Sequence, residues 1–207
     1  MKSSSTSTVR ASQVLLAVFI AIVVLEHLLQ PGLSPGRHRI SEYANGSPGW
    51  LMTSGFIAWT AALASAAVAT ALAPVGPIRI RQFVAALLLL ATIGAAATAA
   101  FKTGTSGGVV PPGHRLTTAN RIHDVGSGGL ALVLWVAVLS SLGLSDGRLR
   151  AQSAVALAAG VVSAVVFSSW VLDLPGINQR ALVLVACAWQ FSLLAALGRS
   201  RRTSEHP

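Results

Sequence analysis

Residues 39–73 read RISEYANGSPGWLMTSGFIAWTAALASAAVATALA. The stretch changes character at Gly49: Arg39, Glu42, Tyr43 and Asn45 lie before it, and residues 49–73 after it carry no charge. A helix needs about 20 mostly apolar residues, rising about 1.5 Å each, to cross a hydrocarbon core about 30 Å thick. Residues 49–73 meet that length and predict a membrane-spanning helix with a polar segment at its mouth. Five further runs of the same kind lie on either side, at 12–29, 83–101, 122–144, 153–172 and 181–198. The expected fold is all-α, a polytopic membrane protein built as a compact bundle of six transmembrane helices. Residues 1–10 and 199–207 are expected as short tails flanking a transmembrane domain over 11–198.

Composition agrees. Of 207 residues, 53% are hydrophobic and 10% charged, and the mean hydropathy is +0.68, outside the range of an ordinary soluble domain. A net charge of +9 would suit a nucleic-acid binder if it formed a patch. Here the basic residues fall between apolar runs, where they act as topology signals, and no nucleic-acid partner is expected. The single cysteine, Cys187, lies within an apolar run, which excludes an internal disulfide and a thiolate metal cluster. Lys2 and Arg10 ahead of an apolar stretch resemble a signal peptide, but Glu26-His27 stands where a small-residue cleavage site would follow, so an uncleaved span is expected. The use of 13 Arg against 2 Lys points to a GC-rich bacterial genome.

Orientation follows from the basic residues. With six spans both termini share a side, and that side collects 9 Lys and Arg against 6 on the other. The positive-inside rule then places both termini in the cytoplasm of a multi-pass protein of the cell membrane. Nearly every residue capable of chemistry falls in the opposite, outer connections. Trp50 and Trp170 are expected in an aromatic belt, and Trp59, Trp135 and Trp189 in the packed interior. The Ala and Gly content of the spans implies close helix packing, and small-residue helix faces also suit self-association.

Four polar clusters carry the functional candidates. In residues 37–46 (RHRISEYANG), Glu42 between Ser41 and Tyr43 has the makings of a general base, or else pairs with Arg37 or Arg39 in a structured loop whose Asn45-Gly46 turns the chain. In residues 120–129 (NRIHDVGSGG), Asn120 is read as an N-cap that sets His123 and Asp124 in the first turn or so, with Asp124 stabilised by the positive helix end. Glycines 126, 128 and 129 would let a helix or substrate chain approach. In residues 170–180, Asp173 and Arg180 flank a hairpin and are expected to pair. Glu26, with His27, sits near the outer end of the first span, a costly place for an acid unless it faces the bundle or a partner. Glu42, His123 and Asp124 are thus the catalytic candidates, and Glu26, Arg39, Ser41, Tyr43, Asp173 and Arg180 the binding candidates. Histidines and acids are present in number, but none has the spacing of a metal motif, so no metal site is expected. The residues specify no cofactor.

The sequence R-x-S-E-Y-A-x-G-x-x-G-W-L-M at 39–52, I-H-D-x-G at 122–126 and P-G-x-x-Q-R at 175–180 resembles the bacterial and archaeal family known as domain of unknown function 998, over about residues 12–198. The resemblance implies six membrane helices and recurring polar residues matching Ser41, Glu42, His123, Asp124 and Arg180. It implies no defined reaction. A weaker similarity to membrane hydrolases related to alkaline ceramidases fails on two points: those have seven spans, and this chain lacks their paired late-helix histidines.

Two functions from different classes remain open. The first is a binding or structural membrane protein, with membrane lipids as partners, whose outer polar ring satisfies itself. The second is a membrane-embedded enzyme acting on a lipid or isoprenoid-type substrate by carboxylate and histidine acid–base chemistry. A transporter is disfavoured by the absence of charge at mid-span and of broken helices.

Overall fold

The computed structural model describes residues 2–167 and 171–203, with side chains over 7–167 and 171–200. Six helices follow in order: α1 (Lys2–Leu29), α2 (Gly49–Leu72), α3 (Ile78–Ala100), α4 (Thr118–Ser140), α5 (Gly147–Val166) and α6 (Pro175–Thr203). Each contains a segment long and apolar enough to cross a membrane. The molecule is an integral membrane protein of the all-α, six-helix kind. Several of the expected bounds differ from the structure: α3 and α4 start four or five residues earlier than read, and α6 runs from Pro175 to Thr203, into the stretch read as the C-terminal tail. The stretch read as an N-terminal tail continues α1 down to Lys2, and α5 begins at Gly147 and ends at Val166, about six residues before the span read from hydropathy. The local cause at α5 is Asp146, whose carboxylate accepts the Leu149 N–H at 2.9 Å as an N-cap. Trp170 lies outside the described residues.

Helices α1 to α4 pack in chain order, α5 packs on α6, and α6 returns against α1 and α2. The interior holds Leu16 and Phe19 of α1, Met52, Trp59 and Leu63 of α2, Leu88 of α3 and Trp189, Leu193 and Leu194 of α6, with alanines 62, 66 and 69 between them. Phe19 and Trp59 stack with ring centroids 4.7 Å apart. The α3–α4 crossing depends on absent side chains. A Cβ on Gly94 would lie 2.6 Å from the Gly126 carbonyl, and one on Gly126 would lie 2.7 Å from the Ala97 Cβ. Of the three glycines expected to let a helix or substrate chain approach α4, Gly126 meets α3, while Gly128 and Gly129 face open space, with nothing within 4 Å of an added Cβ.

The two ends of the bundle differ. One has short links, 73–77 and 141–146, closed by Arg81 donating to the Ala73 carbonyl and by a fork from Arg199 to Asp146 at 2.9–3.2 Å. The other has the long links 30–48 and 101–117 and the α5–α6 hairpin. Here the chain folds back on itself. Residues 40–45 form a 3₁₀ turn with Ile40, Ser41, Glu42, Tyr43 and Ala44 all buried. Trp50, expected in the aromatic belt, is 69% exposed.

Candidate functional site

The long-loop end is a polar cap knitted by side chains that reach across large sequence separations. Arg180, in the first turns of α6, is its hub. Its Nη1 donates to the carbonyls of Pro35 (3.0 Å), His38 (2.6 Å) and Gly176 (2.9 Å), and its Nε donates to His27 Nε2 at 2.7 Å. Its guanidinium lies 5.3 Å from the centroid of the Tyr43 ring. Guanidinium accepts nothing, so His27 Nε2 must be the bare nitrogen and Nδ1 the protonated one, which points its N–H at the Val23 carbonyl at 2.5 Å. Among the described residues Arg180 therefore cross-links α1, the 30–48 loop and α6 without a carboxylate, and its Nη2 is buried with no partner. This replaces the expected Asp173–Arg180 pair: Asp173, at φ 46°, instead meets Arg37 at 2.7 Å, and both side chains are more than half exposed.

The same geometry explains the P-G-x-x-Q-R motif. Gly176 has no room for a Cβ, which would run into the carbonyls of Pro35 and His38 that Arg180 binds. Gln179 Oε1 accepts the Ile40 N–H at 2.6 Å. The Gly176 N–H donates to the Gly36 carbonyl at 3.0 Å. Tyr43, buried, donates its hydroxyl to the Leu33 carbonyl at 2.9 Å. Burial pushes its pKa up, and the Arg180 charge opposes that only in part.

Glu42 pairs with neither Arg37 nor Arg39. The residue is 3% exposed, and its carboxylate accepts three hydrogen bonds from the α3–α4 connection: Thr105 Oγ1 at 2.9 Å, Gly107 N–H at 2.8 Å and Gly108 N–H at 2.9 Å. Both glycines have positive φ, 61° and 82°, which turns their successive N–H groups toward one anion. The Thr105 hydroxyl lies 3.0 Å from that of Thr103, which in turn reaches Asp124 Oδ1 at 3.5 Å. Glu42 and Asp124 thus lie at the two ends of a run of threonine hydroxyls that has two protons for its three contacts. Sequence reasoning passed over Thr103, Thr105 and the two glycines, although TGTSGG at 103–108 has the composition of a structured turn.

Asn120 is not the N-cap of α4. Thr117 is, and Asn120 serves as the third residue of a capping box, its amide oxygen accepting the Thr117 N–H at 3.0 Å. His123 and Asp124 consequently lie in the second turn, beyond the reach of the helix-end charge. His123 is buried and its Nδ1 donates to the Phe101 carbonyl at 2.7 Å, which ties α4 to the end of α3. Its Nε2 is then a bare, buried acceptor with no partner among the described residues. Glu26 is 1% exposed; Oε2 accepts from Gln30 Nε2 at 2.6 Å and Oε1 has no partner among the described residues. No arginine pairs with Glu26 among the described residues. Arg39 gives its carbonyl to the Glu42 N–H at 3.0 Å.

Ser41 does something different. Together with Gln179, Thr98 and Ser127 it rims an apolar cavity of about 90 Å³, walled by Phe19, Phe56, Trp59, Leu134 and Trp135. The cavity lies among α1, α2, α3, α4 and α6, directly inside the cap. Among the described residues no charged side chain lines it.

Six membrane-length helices capped at one end by a self-bonded polar layer define a polytopic integral membrane protein. The chain belongs to a family described as proteins of unknown function (DUF998), whose model matches residues 14–196. No curated protein and no solved structure matches it.

Proposed function

We propose that the protein is a membrane-embedded binding protein that takes a neutral, apolar molecule from the bilayer into the cavity between α4 and α6. The observation that carries this is the contrast between the two layers. In the cap, Arg180 and Glu42 are engaged by hydrogen bonds that hold loops to helices. In the cavity beneath, aromatic and aliphatic walls meet a rim of hydroxyl and amide groups, the composition of a ligand site. The binding candidates divide accordingly: Ser41 belongs to the cavity, while Glu26, Arg39, Tyr43 and Arg180 belong to the cap that closes it, and Asp173 to its exposed edge. The cap is proposed to face away from the cytoplasm, following the distribution of basic residues.

The test uses n-pentane as an apolar probe. A ligand that binds only the folded state raises the melting temperature with its concentration. Pentane is expected to do so saturably for the wild type, and not for Ala186→Phe, which fills the cavity wall. Equal response of both proteins overturns the reading.

The enzyme reading draws on one observation, the unpartnered Nε2 of His123. His123, Ser127, Leu130 and Leu134 share one face of α4, and the last three line the cavity. A base at that position lies one turn from Ser127 on the helix face that lines the cavity. Glu42 is the weaker half of that reading, because three donors occupy its oxygens.

A further inference from the structure

The four polar residues that line the cavity fall into two kinds. Ser41 is 4% exposed, and its hydroxyl has no hydrogen-bond partner among the described residues. Gln179 Oε1 accepts the Ile40 N–H at 2.6 Å, which fixes the amide next to Ser41 and leaves its Nε2 protons without an acceptor among the described residues. Thr98 and Ser127 have spent their protons on their own helices: Thr98 Oγ1 donates to the Gly94 carbonyl at 2.9 Å and Ser127 Oγ to the Asp124 carbonyl at 3.2 Å. Both keep lone pairs. The 40–45 turn and α6 thus bring donors to the cavity, and α3 and α4 bring acceptors. A buried hydroxyl left without a partner is costly.

Space limits what can meet these groups. The volume of about 90 Å³ is about three times one water's share of the liquid, about 30 Å³, which suits a hydroxyl and a few carbons. Phe19 and Trp59 stack on each other and so do not both turn a free face inward. One residue of the lining, Ala131, is exposed on the surface of α4. It lies one turn beyond Ser127, away from the cap, and gives a longer chain a way out toward the bilayer.

We infer that the cavity's ligand is an uncharged chain alcohol, its hydroxyl accepting from Ser41 and Gln179 and donating to the Thr98 and Ser127 side, its chain leaving past Ala131. The inference rests on the binding reading above and deepens it by naming the ligand class. A plain hydrocarbon leaves Ser41 and Gln179 unpaired. A carbonyl or ether oxygen accepts but brings no proton for Thr98 and Ser127. A carboxylate or phosphate brings a charge that no described side chain in the lining balances. An alcohol also matches the direction of the site, with its polar end under the polar cap and its apolar end toward the middle of the helices.

The experiment compares 1-butanol with n-pentane, the same chain with a methyl group in place of the hydroxyl. Dissociation constants are read from the rise in melting temperature with ligand concentration, on full-length protein in nanodiscs. Ala186→Phe is measured alongside, and its response, which does not depend on the cavity, is subtracted. In Ser41→Ala the 1-butanol constant is expected to rise about fivefold to tenfold, the loss of one buried hydrogen bond. The n-pentane constant should stay within about twofold of wild type, which also shows that the cavity is intact. Equal weakening of both ligands, an unchanged 1-butanol constant, or n-pentane binding without 1-butanol overturns the alcohol inference and leaves the cavity reading standing. Failure of both ligands to bind wild type overturns both. Two comparisons on wild type need no variant. Methyl propyl ether, the isomer that accepts but cannot donate, and butanoate, the charged counterpart, are each expected to bind at least about fivefold more weakly than 1-butanol. Equal binding of the ether refutes the donated bond, and equal binding of butanoate refutes the uncharged head.

Discussion

Replacing Glu42 by Gln separates a structural carboxylate from a catalytic one. In the native protein Oε1 accepts from Thr105 Oγ1 and Gly108 N–H, and Oε2 accepts from Gly107 N–H. Glutamine keeps the shape but puts an NH₂ where one oxygen stood, so whichever way the amide turns, a donor faces at least one of these donors. Hydrogen bonds to a charged group contribute about 1.5–3 kcal/mol each, and a neutral acceptor about half that. One charged bond is lost and two are weakened, giving a destabilisation of about 2–4 kcal/mol once non-additivity within one network is allowed for. For a chain of this length that is a fall in melting temperature of about 5–15 °C, by analogy with soluble proteins. The connection 101–117 should loosen first, because Glu42 is its clamp. The assay is thermal unfolding in detergent, paired with trypsin cleavage at Lys102 and Arg115. If Glu42→Gln melts within about 1 °C of wild type and cleaves at the same rate, the clamp account is wrong and Glu42 is free to serve as a base.

Arg180→Lys should be nearly as damaging as Arg180→Ala, about 2–4 kcal/mol by thermal unfolding, since an ammonium cannot span three carbonyls and His27 at once; full rescue by lysine would show that charge alone matters. At the opposite end, burial raises the Asp146 pKa, but the Leu149 N–H and the Arg199 guanidinium outweigh that and hold it below the usual carboxylate range. A depressed folded pKa contributes stability that is complete above the unfolded value near about 3.9 and lost as pH falls through the folded one. Melting temperature should accordingly drop more steeply below about pH 4 in wild type than in Asp146→Asn; parallel curves would refute the linkage. For topology, reporter fusions at Gly107 and Arg150 should read opposite sides of the membrane, with Arg150 cytoplasmic; the same side for both would contradict the alternation of six spans.

The six helices and the concentration of polar residues at one end were legible in the chain because both depend on local composition. A run of about 20 apolar residues has only one low-energy way to satisfy its backbone in lipid, whatever the rest of the chain does. Choice of partner was not legible. Charge counting paired Asp173 with Arg180 across a short hairpin, whereas the fold pairs Asp173 with Arg37 and gives Arg180 to backbone carbonyls and to His27, 153 positions away. Glu42 looked like a residue awaiting a cation, yet its partners are N–H groups that exist as a site only after Gly107 and Gly108 adopt positive φ. Backbone donors leave no mark in a sequence, so a cap built largely on them reads as unpaired charge. The cavity is further still from local composition, because its walls come from α1, α2, α3, α4 and α6. Hydropathy decided which segments enter the membrane, and packing between distant segments decided which of their polar atoms were left over.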